Sequence, residues 1–157
     1  MALRKIVTGG QTGVDRGALD AALELGFPCG GWCPSGRQAE DGIISERYPL
    51  AELPEGGYRE RTLRNVLDSD GTAIIYFGRI EGGTAATLAF CIQYRKPYKL
   101  LDASLIDARH AANALAEWVK LKSIADLNIA GPRLSTAPRA EDYARRVIRT
   151  LLANRAG

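Results

Sequence analysis

The stretch TAIIYFGRIEGGT, residues 72–84, decides how this chain folds. Thr72 to Phe77 form a continuous β-branched and aromatic run with no polar alternation. Such a run predicts a central parallel strand covered on both faces. The glycine-rich loop 78–83 follows, and the spacing beyond it predicts a helix from about Thr84 to Tyr94. A buried strand, a glycine turn and a helix make up the basic α/β unit.

The same unit recurs on both sides. Residues 4–8 (RKIVT) predict a strand and residues 14–25 a helix, with Val14, Ala18, Ala21, Ala22 and Leu25 on its buried face. Gly26 and Pro28 end that helix. A short helix is predicted at 60–68, with Leu63, Val66 and Leu67 apolar. Downstream come a strand at 98–102, a helix at 108–121, a strand at 126–131, and a last helix starting at Pro138, a residue favoured at a first helical position. The alternation predicts an open, mostly parallel Rossmann-like sheet flanked by helices on both faces, in one domain spanning 1–157. Residues 28–59 break the rhythm. Seven glycines or prolines fall there before residue 50, and a loop this long in a compact domain is expected to be functional. CGGWC, 29–33, is expected to hold one short strand.

Composition narrows the function classes. The 157 residues are 46% hydrophobic and 25% charged, with a formal net charge of +3. No block of like charges appears, so no nucleic-acid partner is expected. No apolar run approaches the roughly 18 residues of a membrane span, and the early residues lack the apolar core of a signal peptide. The three cysteines, Cys29, Cys33 and Cys91, do not make a disulfide framework. A cytoplasmic location with reduced thiols is the expectation.

Three strand-to-helix loops should open on one edge of the sheet, where open α/β sheets bind ligands. The first holds Gly9, Gly10, Gln11, Thr12 and Gly13. It reads either as a ligand wall or as a tight turn with Thr12 or Asp15 capping the helix. The second ends in Gly82, Gly83 and Thr84, with two unhindered N–H groups and a hydroxyl before a helix: an anion site by geometry. The third carries Arg133, suited to bidentate phosphate pairing. Arg37 in the long segment is a further candidate cation, and Trp32 either stacks on a heterocycle or belongs to the core. Cys29 and Cys33, spaced C-x3-C, make a weak metal pattern without a second pair, so no metal site is assigned. His110 is the only histidine and sits off its helix's apolar face, which leaves Ser–His and Cys–His catalysis without material. Acid–base candidates, if there is a reaction, are Asp15, Glu40 and Asp41.

The blocks TGGQTGVDRGALDAAL, GGWCPSGRQAEDG, RYPL, RTLRNVLDSDGTAII, GGTAAT and AGPR occur in this order. Together they resemble the bacterial molybdenum carrier proteins, a branch of the Rossmann-like superfamily that includes the LOG-type phosphoribohydrolases. The resemblance runs from Lys5 to about Arg133. It implies a carrier that binds the molybdenum cofactor, a pterin bearing a terminal phosphate, and a homo-oligomer, dimer or tetramer. The LOG-type enzymes imply cleavage of a nucleoside monophosphate and resemble PGGxGTxxE after the central strand. Here Glu81-Gly82-Gly83-Thr84 is followed by Thr87, Leu88 and Ala89, without the expected glutamate. The phosphate-holding residues are present and the general base is not. The expected function is therefore binding of a phosphorylated heterocycle, molybdopterin-type or nucleotide. The alternatives are a nucleotide hydrolase and a nucleotide sensor without turnover.

Overall fold

A computed structural model describes residues 3–154. The ends of the expected 1–157 domain, residues 1–2 and 155–157, lie outside the described residues. Five parallel strands form the main sheet: β1 (Lys5–Val7), β2 (Cys29–Gly30), β7 (Gly71–Tyr76), β8 (Tyr98–Asp102) and β9 (Asp126–Ala130). Their order is β2-β1-β9-β7-β8. The chain steps outward from β1 to β2, returns to lay down β7 and β8 on the other side, and slots β9 between β1 and β7. This reversal puts a crevice at the carboxyl ends of β1, β9 and β7.

The two faces of the sheet differ. On one face, α1 (Val14–Glu24), α4 (Ala108–Leu121) and α5 (Ala140–Asn154) bury the main core. Ile6, Ala73, Ile75, Leu127 and Ile129 meet Val14, Ala18, Leu115, Val147 and Ile148 there, all at most 1% exposed. The other face carries α2 (Tyr58–Asp68) and α3 (Gly82–Gln93), with a small cluster of Val66, Phe90 and Cys91. The alternate strand positions on this face are partly polar: Asn128 and Thr72 are buried, and the Asn128 amide donates to the Thr72 hydroxyl at 3.2 Å.

The strand at 98–102 and the helix at 108–121 have the expected bounds. Other boundaries move. α3 begins at Gly82 rather than Thr84, because Gly82 takes a φ of 56° that bends the chain straight into the helix. α2 begins at Tyr58, and α5 begins two residues after Pro138. Leu25 lies past the end of α1 and is 41% exposed, and Leu67 is 38% exposed.

The largest departure is residues 28–59. In place of a loop with one strand, the chain makes five two-residue strands. Besides β2 these are β3 (Trp32–Cys33), β4 (Gln38–Ala39), β5 (Gly42–Ile43) and β6 (Ala51–Glu52), with a 3-10 turn at Ser35–Arg37. β3 pairs with β6, and β4 with β5. Strands this short leave no period-2 signal in a sequence. Arg37 holds the segment together from inside. Its Nε donates to the Ile44 carbonyl, Nη1 to Leu50, and Nη2 to Ser45 and Tyr48, at 2.8–3.1 Å.

Candidate functional site

A cavity of about 800 Å3 opens at the crevice. Gly9, Gln11 and Asp15 form its β1 side, and Gly131, Pro132, Arg133 and Ser135 its β9 side. Arg79, Gly82, Gly83 and Thr84 form its β7 side. Tyr58, Arg59, Arg61 and Asn65 of α2 supply the wall on the polar face of the sheet. The three predicted loops therefore converge, since all follow parallel strands.

Not every predicted residue reaches the cavity. Gly10, Thr12, Gly13, Arg37, Glu40 and Asp41 are absent from its lining. Arg37 is spent on the backbone carbonyls named above. Asp41 pairs with Arg16 at 2.6 Å. Trp32 neither lines the cavity nor joins the main core: its indole N–H donates to Asp68 at 2.8 Å, and the Arg64 guanidinium lies 4.9 Å over its ring.

Thr12 and Glu40 act one layer behind. The Thr12 hydroxyl bonds Glu40 and accepts from the Leu134 N–H at 3.1 Å. Glu40 also accepts from the Ser135 hydroxyl at 2.6 Å and lies 4.0 Å from Arg133. The hydroxyls of Ser135 and Thr12 hold the Glu40 carboxyl below the ordinary range. Glu40 thus ties the β4–β5 hairpin to loop 131–136, one wall of the cavity.

Neither Thr12 nor Asp15 caps α1. Asp15 turns back instead and accepts from the Gln11 N–H at 3.1 Å, fixing the first loop. Asp15 is 8% exposed. Burial pushes its carboxyl from 3.8 up to about 6, against the opposing pull of Arg61 at 4.0 Å. Because the folded value is raised, Asp15 contributes stability that is fully present below about 3.8 and is lost as pH rises through about 6. Relative to Asp15→Asn, which does not titrate, the wild-type protein should gain about 3 kcal/mol as pH falls from 7 to below 4. Urea unfolding of both proteins across that range measures this, and a difference that stays flat with pH excludes it.

Arg61 was not legible as a site residue. It is 7% exposed and Asn65 is 2% exposed, both on the inward side of α2. The Arg61 Nη1 donates to the Gly9 carbonyl at 2.6 Å. The Asn65 amide brackets the Trp32 backbone, accepting from its N–H at 2.8 Å and donating to its carbonyl at 2.9 Å. The available signal was two polar residues four apart, which a helix places on one face.

Among the described residues, no group of three or more His, Cys, Asp or Glu side chains is placed to hold a metal ion. Cys33 and Cys91 are buried, Cys29 is half-buried, and all three are free. Burial raises each thiol above its ordinary value. Among the described residues, no helix is long and apolar enough to cross a membrane.

A family model described as "Circularly permutated YpsA SLOG family" matches residues 6–152. The chain belongs to this family. A solved structure, "Crystal structure of Putative molybdenum carrier protein" from Syntrophus aciditrophicus SB, is 44% identical to this SLOG-family chain. The match covers 96% of each chain with a TM-score of 0.93. No curated protein matches.

Proposed function

We propose that this SLOG-family protein is a non-enzymatic carrier of a phosphorylated heterocycle of the molybdenum-cofactor type, held in the cavity. The observation that supports this most is the first turn of α3. Gly82 and Gly83 line the cavity, and a Cβ built at either meets nothing within 4 Å, so a ligand can approach the backbone of this turn closely. Thr84, 6% exposed, adds a hydroxyl to the same wall. A helix N-terminus of this kind suits the terminal phosphate. Tyr58, 39% exposed with the guanidinium groups of Arg61 and Arg133 within 6 Å of its ring, offers a face for the heterocycle. Under this reading molybdenum would arrive inside its cofactor, since among the described residues no group of three or more His, Cys, Asp or Glu side chains is placed to hold a metal ion. The name of the Syntrophus relative agrees with this reading.

The protein is further proposed to be cytoplasmic and homo-oligomeric. α3 is apolar on nearly all sides, and Ile92 stands 59% exposed on it, with Tyr98 and Leu100 39% and 38% exposed on the edge strand β8. Self-association would cover this surface. Native mass spectrometry of gently purified protein tests both points. A pterin-sized adduct on a dimer or tetramer is the expected result. A nucleotide adduct would overturn the carrier, and a bare monomer would overturn the assembly.

One observation favours nucleotide hydrolysis as a second reading. Asp15 lines the cavity and titrates at about 6, a value suited to acid–base work near neutrality. Release of free base from nucleoside monophosphates would select it.

A further inference from the structure

We propose that the cavity holds a second anion subsite at the Arg61 guanidinium, apart from the α3 turn, so that the ligand is a phosphorylated heterocycle bearing a second anionic group. This rests on the carrier reading and deepens it by naming what the other end of the ligand carries.

Arg61 is more than nine-tenths buried, yet it belongs to the cavity wall. Two of its three nitrogens are committed: Nε donates to the Tyr58 carbonyl at 3.3 Å and Nη1 to the Gly9 carbonyl at 2.6 Å. Among the described residues, Nη2 has no hydrogen-bond partner. It is also not sealed off: among the described residues the buried side-chain atoms without a partner are Ser69 Oγ and Arg145 Nε. Arg61 lines the cavity, so an Nη2 that keeps accessible surface is open to a ligand there. The Asp15 carboxylate forms an ion pair with Arg61 but stands 4.0 Å from Nη1, beyond hydrogen-bond reach, accepts from the Gln11 N–H, and leaves Nη2 unbonded. A buried cation with donors left over is costly unless something pairs with it, and an anion in the cavity would pair with this one. Arg133, 5.9 Å from the Tyr58 ring centre, adds positive charge to the same wall.

This seat is distinct from the α3 turn. Arg61 is anchored on Gly9, just past β1, whereas Gly83 lies in the first turn of α3, after the loop that follows β7, and β9 runs between those strands. Two strand spacings put the seats on the order of 10 Å apart. One phosphate does not bridge that gap. A ligand with a phosphate at one end and a phosphate, carboxylate or oxyanion at the other does.

Inorganic phosphate titrated into the 15N-labelled full chain tests the proposal by NMR. Two separately saturating sets of shifts are expected, one at the Gly83 and Thr84 amides and one at Arg61 Nε with the Gly10 and Gln11 amides. Arg61→Gln keeps a donor for the Gly9 carbonyl but removes the charge. It should weaken the response at Gly10 and Gln11 about tenfold or more and change the α3 response by less than about twofold. An Arg61 set that stays still while the α3 amides saturate overturns the second subsite and leaves the carrier reading standing. If neither set moves, both fall. The wild-type titration decides the matter even if the variant does not fold.

Discussion

Gly17→Leu should abolish folding, and Gly17→Ala should destabilise the protein by about 1–3 kcal/mol. Gly17 sits in α1 where its backbone meets α5. A Cβ there would lie 2.2 Å from the Glu141 carbonyl oxygen and 3.1 Å from the Arg145 nitrogen. Both obstacles are main chain, so no side chain can swing aside. The helices would have to separate, opening the core that Val14, Ala18, Ala144, Val147 and Ile148 fill without solvent exposure. Alanine favours a helix over glycine by about 1 kcal/mol, so a substitution that helps an isolated helix should here lose to the clash. Leucine adds a whole side chain to the same contact, and the resulting loss approaches the 5–15 kcal/mol that holds a typical domain folded. Soluble yield and urea midpoints give the measurement. A Gly17→Ala protein as stable as wild type would mean that α1 and α5 do not meet this closely.

Gly83→Val should do the reverse, sparing the fold and emptying the site. A Cβ at Gly83 meets no atom within 4 Å, and its φ is not in the left-handed region, so valine is accommodated. A helical Cβ leans toward the N-terminus, which sets the valine methyls over the N–H groups that the ligand phosphate needs. Hydrogen bonds to a charged group contribute about 1.5–3 kcal/mol each. Losing two should weaken ligand retention about 100-fold or more, with the melting temperature of the ligand-free protein little changed. The adduct seen in native mass spectra of wild type should be missing from the variant. Undiminished retention would put the phosphate elsewhere. Gly82 is a poorer test, because its φ of 56° makes any side chain there a strain on the backbone as well.

The sequence was most readable where an element carries a continuous or periodic apolar run. TAIIYF announced β7, and the strand predicted at 98–102 and the helix predicted at 108–121 became β8 and α4 with their bounds. The converging loops followed from the parallel order of the strands. What escaped was chemistry produced by folding alone. Arg37 has the look of a free cation, but four carbonyls of a compact segment consume it. Arg61 has the look of an ordinary charge on a short helix, but it is buried against Gly9, 52 residues away in sequence. Two-residue strands and long-range arginine contacts leave no periodicity, so no local pattern distinguishes these two arginines.

The position of β9 has a consequence for how the molecule is made. A ribosome releases β1, β2, β7 and β8 before β9, and until then β1 and β7 each show an unpaired inner edge. The nascent chain can form α1 and α3 locally, but it cannot join the two halves of the sheet until residues 126–130 emerge. The cavity straddles that seam, with Gly9 on one half and Gly83 on the other. The complete cavity, which takes walls from both halves and from the residues around β9, should therefore form only after that strand joins the sheet. Chains stalled before residue 126 would present two sticky edges and an incomplete cavity, which makes the late strand both the closing step of folding and the step that joins the two seats in one site.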